Sequence, residues 1–289
     1  MTILLIGKNG QLGWELERCL APLGGLAAFD REGFDLTTPE IFTGRLRELQ
    51  PQIIVNAAAY TAVDRAETEP DLAHMLNATA PGILGEEAKR LGALLVHFST
   101  DYVFDGAQTT PYREDDPPNP QSVYGKSKLE GERAIQASGC RHLILRIGWV
   151  YGTHGSNFLK TILSAARTQP ALRVVNDQWG APCSTARLAG VLRSVLERIK
   201  DSGAALSGSP GLYHLSPAGC TTWYEFALEI VTRFRLGSAV YPTTSESLSR
   251  PAKRPGNSLL DSSRFMSEFK LGLGHWHSGF TEVSRILSG

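Results

Sequence analysis

The chain is poor in the features that mark several classes of protein. It has 4 cysteines, 3 methionines and no charge excess, with 29 Lys and Arg against 29 Asp and Glu. Cys19, Cys140, Cys183 and Cys220 stand far apart, without the paired spacings of a zinc site and too sparse for a disulfide-stapled fold. They read as plain thiols in a reducing compartment, and no bound metal is expected. Zero net charge gives no general attraction for nucleic acid or an anionic membrane. The basic stretch from Arg250 to Arg254 is short and broken by Pro251. No apolar run approaches the roughly 20 residues that cross a bilayer. The apolar start, Met1 to Ile6, is short and lacks a basic leader, so it reads as a strand and not a signal peptide. These absences lead to the expectation of a cytoplasmic protein with no nucleic-acid or membrane partner.

What is present is a rhythm. Thr2 to Ile6 is a continuous apolar run ending at Gly7, as in a strand buried on both faces. A helical pattern over Gln11 to Leu20, a strand at Leu26 to Phe29, a helix over Glu40 to Leu49 and a strand at Ile53 to Val55 follow. Leu72 to Leu91 reads as helix, with Pro81 a kink or a start. Leu94 to Ser99 and His142 to Ile147 read as strands, and Val123 to Gln136 between them as helix. Such alternation predicts an α/β fold with a doubly wound parallel sheet over residues 1–150.

After Gly148 the rhythm changes. Helices are expected over Asn157 to Arg167, Ser184 to Ile199 and Trp223 to Phe234, with shorter ones at Ser262 to Phe269 and Phe280 to Leu287. Leu172 to Val175 and Leu212 to Leu215 read as strands. Residues 151–289 are therefore expected to mix a smaller lobe with segments returning to the sheet, at about 171–200 and 212–216. Gly237 to Asn257, rich in Ser, Thr and Pro, is expected to be a loop.

Gly7, Gly10 and Gly13 sit between the first strand and the first helix. Glycines there allow a tight turn and close backbone approach, and the helix N-terminus can face a pyrophosphate. The spacing G-x-x-G-x-x-G departs from the common G-x-G-x-x-G. Asp30 ends the second strand, where a carboxylate can accept from adenosine ribose hydroxyls and favour NADH; Arg31 beside it can instead meet a 2′-phosphate. Preference between NADH and NADPH stays open. Asp35 and Leu36 follow, near where an adenine would lie. Ala57, Ala58 and Ala59, with Tyr60 and Thr61, trail the third strand at the crevice edge where such sheets bind ligands.

Ser99 or Thr100, running off the end of the fourth strand, is expected to be delivered to the cleft. Tyr124 and Lys128, in Ser122-Val-Tyr-Gly-Lys-Ser-Lys128, share one helix face. A free phenol titrates near 10 and is a poor proton donor and acceptor near neutrality; an adjacent ammonium is expected to lower it.

In this order, the four segments resemble the extended short-chain dehydrogenase/reductases. The likeness extends through Arg146-Ile-Gly-Trp-Val-Tyr151, Val175-Asn-Asp-Gln-Trp-Gly-Ala-Pro182, Thr221-Thr-Trp223 and Arg250-Pro-Ala-Lys-Arg-Pro-Gly-Asn-Ser258, essentially the whole chain. The resemblance implies a Rossmann-type sheet with a smaller C-terminal substrate-binding lobe. It implies NADH or NADPH as cofactor and a dTDP-linked deoxysugar, reduced at a C4 ketone, as substrate. Tyr124 would donate the proton, Lys128 would bind the nicotinamide ribose and tune Tyr124, and Thr100 would hydrogen-bond the ketone oxygen. Gly10, Gln11, Leu12, Asp30, Asp35, Leu36, Ala59, Tyr60 and Thr61 map to the cofactor cradle. Asp101, Tyr102 and Trp149 map to the sugar-nucleotide side, with Asn176, Asp177 and Gln178 as polar ligand contacts and Arg254 on the diphosphate.

Some family members are magnesium-bridged dimers built on carboxylates. Here Glu15 matches one such position, but Arg187 stands near where another glutamate is expected. No structural metal is expected, and a homodimer stays open. Two alternatives accompany this reading: a reductase making another deoxysugar, and a non-catalytic regulatory subunit that binds a partner synthetase.

Overall fold

A computed structural model describes residues 1–201 and 211–288 of the chain. Its central sheet is built on β1 (Thr2–Ile6), β2 (Gly25–Phe29), β3 (Ile53–Asn56), β4 (Leu94–Thr100) and β5 (Arg141–Ile147), with Gly211–His214 added at one edge. The strand order is Gly211–His214, β5, β4, β3, β1, β2, and every pairing is parallel. The apolar runs form these strands because both faces of the sheet are covered. Ile3 and Leu5 point to one core with Leu12 and Leu16 of α1 (Gln11–Leu20) and Leu188 and Leu192 of the Thr185–Asp201 helix. Leu4 and Ile6 point to the other, with Phe42 and Leu46 of α2 (Pro39–Leu49), Leu84 and Ile135. The alternation follows from the two-residue period of a strand.

Chain connections run outward in opposite directions from the pair β1 and β3. That is the topological switch point, where open α/β sheets bind ligands beyond the carboxyl ends of their strands. Gly7 and Ala57 emerge side by side there, with the Ala57 N–H donating to the Ile6 carbonyl at 3.0 Å.

The expected Leu72 to Leu91 helix is three consecutive segments: Pro70–His74, a π-helical turn at Met75–Thr79, and Ala80–Leu91. Pro81 lies in the first turn of the last, where its missing N–H costs nothing. The π turn turns Asn77 inward, so its side chain accepts from the Tyr60 N–H at 2.9 Å and donates to the Tyr60 carbonyl at 3.0 Å.

The second half departs from expectation in two places. Ala171–Val175 does not return to the central sheet; it pairs in parallel with Ala239–Thr243, which lies inside the stretch expected to be a loop. Leu172 and Val174 are claimed by a third core, with Leu159, Phe226, Ile230 and Phe280, so this pair serves the smaller lobe. The Thr185–Asp201 helix, by contrast, packs on α1, and Gly211–His214 extends the sheet beside β5. Among the described residues no helix is long and apolar enough to cross a membrane.

Candidate active site

The carboxyl ends of β1, β3 and β4 open into a cavity of about 870 Å³. Its floor on the β1 side is glycine by necessity. Gly7 has φ +88°, and a Cβ there would lie 2.8 Å from Ala58 N. A Cβ on Gly13 would lie 2.0 Å from the Gly7 carbonyl oxygen. Gly13 therefore does not line the cavity; it lets α1 seat against the turn. Gly10 caps α1 in extended conformation, and Gly10, Gln11 and Leu12 face the cavity. Gln11 Oε1 is buried without a hydrogen-bond partner among the described residues. An open helix N-terminus, a cradle with no room for Cβ atoms and an unsatisfied buried amide oxygen together fit a dinucleotide phosphate.

Asp30 lines the same cavity. Hydrogen bonding from the Gly33 N–H, joined by Asn9 Nδ2, holds its carboxyl below the usual range. Arg31, largely exposed, pairs with Asp35 at 3.5 Å. Asp35, Leu36, Ala57, Ala58, Ala59, Tyr60 and Thr61 all reach the cavity wall.

The opposite wall comes from β4 and the Val123–Ser138 helix. Ser122 caps that helix by accepting from the Gly125 N–H at 3.1 Å. Gly125 and Gly131 let it lie close, since a Cβ on either would strike the backbone of Tyr102 or Asn77. Tyr124, Lys128 and Glu132 then fall on one buried face. Thr100, ending β4, shares the cavity with Tyr124 and Lys128.

Burial pushes the Tyr124 phenol up to about 12, opposed by its interaction with the Thr100 hydroxyl. Burial pulls Lys128 down to about 8. The expected lowering of Tyr124 by Lys128 is not what the free protein shows. Lys128 Nζ is engaged by β4 instead, donating to the Phe98 carbonyl at 2.6 Å and lying 3.1 Å from His97 Nε2.

Asp101 is 2% exposed, and its Oδ1 accepts from Thr100 Oγ1 at 2.9 Å. Burial raises its carboxyl from 3.8 to about 6. The folded state therefore binds more protons than the unfolded state between about pH 4 and pH 6, and stability falls as pH rises through that window. Asp101→Asn is expected to gain about 1–3 kcal/mol over the native protein at pH 7. The gain should vanish below about pH 4, and thermal melts at the two pH values check it.

Trp149 reaches the cavity from a left-handed backbone at φ 50°. Its indole stacks on Trp223 at 3.5 Å and 3°. A Cβ on Gly180 would lie 2.2 Å from the indole, so glycine leaves it room. Tyr102 lines the same cavity, its ring edge-on to Tyr124 at 5.5 Å.

Four expected ligand contacts sit elsewhere. Asn176 Oδ1 accepts from Thr222 Oγ1 at 2.9 Å, and Asp177 takes the Ser245 hydroxyl and N–H. Gln178 Oε1 accepts from Trp223 Nε1 at 3.1 Å. Asn176 and Gln178 brace the wall behind Trp149 by tethering the start of the Trp223–Arg233 helix, while Asp177 fixes Ser245. Arg254 forms a two-pronged pair with Asp64 at 2.8 and 3.0 Å. Sequence reasoning missed His97, Asn77, Trp223 and Glu132 as parts of the site. A histidine inside an otherwise apolar buried strand was the available signal for the first.

A family model described as the RmlD substrate binding domain matches residues 1–288. A dTDP-4-dehydrorhamnose reductase of Salmonella typhimurium is 42% identical over 298 residues, covering 100% of this chain and 97% of that protein. A crystal structure of a Clostridium acetobutylicum dTDP-4-dehydrorhamnose reductase matches with TM-score 0.91 and 37% identity over 100% of both chains. That of the Bacillus anthracis enzyme in complex with NADP matches with TM-score 0.89 and 32% identity over 98% of each.

Proposed function

The chain belongs to the RmlD substrate binding domain family, and from that membership we propose that it reduces the C4 ketone of dTDP-6-deoxy-L-lyxo-4-hexulose to dTDP-L-rhamnose. It is an NAD(P)H-dependent oxidoreductase of the Rossmann type. The observation that carries the reading is the meeting of Thr100, Tyr124 and Lys128 on one wall of a cavity whose other wall is the glycine cradle.

The reduced nicotinamide, when bound, supplies hydride to C4. The protein's part is placement and proton supply. Gly7, Gly10, Gln11 and Leu12 hold the pyrophosphate, Asp30 the adenosine ribose, and Asp35 and Leu36 border the adenine. Lys128 binds the nicotinamide ribose. Tyr124 gives its proton to the C4 oxygen, and Thr100 hydrogen-bonds that oxygen. Asp101, Tyr102 and Trp149 form the sugar side, where a flat indole suits a deoxysugar methyl. Arg254 engages the diphosphate by exchanging its present partner, Asp64. Remote binding of the nucleotide then holds the ketone in line.

The test is loss of absorbance at 340 nm with NADH and with NADPH. The keto sugar is made in situ from dTDP-glucose by dehydratase and epimerase. Oxidation that depends on both upstream enzymes supports the reading. A folded protein that binds NADPH yet stays silent with both cofactors counts against it.

A homodimer is proposed without a bridging metal. Glu282, a carboxylate of the C-terminal helix, is committed to Arg187 through bonds of 2.6 and 2.9 Å. Sedimentation is expected to be unchanged by a chelator; a chelator-sensitive dimer would overturn this.

A further inference from the structure

His97 and Asn56 stand behind Lys128 and have no part in the reading above. Lys128 Nζ lies 3.1 Å from His97 Nε2, and on the far side of the ring His97 Nδ1 lies 3.2 Å from Asn56 Nδ2. The other Asn56 amide atom, Oδ1, accepts the Ala58 N–H at 3.2 Å. All three side chains are 1% exposed, so their polar atoms depend on these partners.

Donors and acceptors can be counted along this chain. An amide nitrogen only donates, so His97 Nδ1 must accept. Burial alone disfavours a charged ring and holds His97 well below its usual range, so the ring is neutral. A neutral imidazole that accepts at Nδ1 carries its proton on Nε2. That N–H points at Lys128. An ammonium has no lone pair to receive it, whereas an amine has one, and keeps two hydrogens, one of which serves the Phe98 carbonyl.

We infer that His97 is a positioning residue for Lys128: its Nε2–H, fixed by Asn56, favours the uncharged amine, so that dinucleotide binding is coupled to protonation of the lysine. The inference rests on the reading of Lys128 as the ribose ligand. Protonation of Lys128 sets two donors face to face and frees the ammonium towards the cavity that it lines. The other charged and titratable groups facing Lys128 do not replace this control. Glu132, one turn along the same helix, opposes it by favouring the ammonium but is itself bound by Arg146 and Ser99, and Tyr124, one turn back, is neutral below about 12. With Lys128 at about 8, the charge change falls in a range open to measurement.

The experiment is calorimetry of NADPH binding in buffers of different ionisation enthalpy, which reads proton uptake directly. NADPH has no group titrating near pH 8. Uptake of about half a proton is expected at pH 8, rising towards pH 9 and fading towards pH 7. His97→Gln presents an amide oxygen that accepts from an ammonium, so uptake should disappear while NADPH still binds. Nitrogen-15 NMR of the native protein should place the His97 proton on Nε2, and this needs no variant. Flat uptake between pH 7 and 9, an Nδ1–H tautomer, or undiminished uptake in His97→Gln would each overturn the inference. Lys128→Met separates the two levels: native-like NADPH affinity in that variant removes the ribose reading itself.

Discussion

Tyr124→Phe is expected to lower turnover by about a thousandfold and to leave NADPH affinity within about a factor of two. Phenylalanine fills the same buried space, so only the hydroxyl and its interaction with Thr100 are lost. Its raised pKa suits the reductive direction. A phenol held near 12 is fully protonated at neutral pH and stands ready to give. The oxygen left by hydride arrival at C4 is an alkoxide, a far stronger base than phenolate, so the transfer runs downhill even from so weak an acid. Of the other phenols lining the cavity, Tyr60 donates its hydroxyl to Glu69 at 2.6 Å and Tyr102 interacts with Arg254. Lys128 is turned towards β4, and Asp101 titrates near 6, so it carries little acid at neutrality. Single-turnover hydride transfer at 340 nm, with NADPH affinity measured by fluorescence, tests this. A variant within tenfold of the native rate would assign the proton to another group.

The contrast between legible and hidden parts has physical causes. β1, β3 and β4 were readable because a strand buried on both faces needs a largely apolar run, and β1, β3, β4 and β5 give way to Gly7, Ala57, Thr100 and Gly148 where the backbone meets the cavity. Ala171–Val175 was readable as a strand but not as to its partner. An apolar run says that a strand is covered, not by which core, and here Phe226 and Phe280 supplied that core. Its partner Ala239–Thr243 stayed hidden because three of its five residues are exposed and Pro242 breaks the pattern.

Within the site, sequence spacing placed Tyr124 and Lys128 on one face but gave no direction for the lysine. The ammonium was expected to face the phenol four residues away. The structure turns it to β4, because a buried amine needs acceptors and the Phe98 carbonyl supplies one. Asn176, Asp177 and Gln178 look like ligand groups in a sequence because polar side chains after a strand suit a binding surface as readily as a solvent-facing turn, and Asn176 and Asp177 are exposed. Their polarity goes instead to Thr222, Ser245 and Trp223.

Glu132→Ala should cost about 3–5 kcal/mol of stability, read by denaturant unfolding. Glu132 is 1% exposed and takes hydrogen bonds from Arg146 Nε at 2.9 Å and the Arg146 terminal nitrogen at 2.7 Å, with Ser99 Oγ as a third donor. Removing it strands Arg146, itself 3% exposed, beside His214 and the Phe104 ring. Neither relieves a buried charge: burial and the guanidinium hold His214 down to about 3, so it stays neutral, and a ring face is a weak partner. Against a total of about 5–15 kcal/mol for a typical domain, this single loss is a large fraction. The pair also has a positional consequence. Glu132 lies one turn beyond Lys128 and two beyond Tyr124, and its partners Ser99 and Arg146 belong to β4 and β5. It thus pins the helix that carries Tyr124 and Lys128 to the strand that carries Thr100. The double variant Glu132→Leu with Arg146→Met removes both charges and should recover much of the stability, since a buried pair contributes little net over apolar residues of similar size. Turnover should not recover with it, because apolar contact fixes the helix less sharply than three hydrogen bonds. A Glu132→Ala protein within about 1 kcal/mol of native would show that water or a shift of Arg146 relieves the charge. A stable double variant with native turnover would show that packing alone seats the helix.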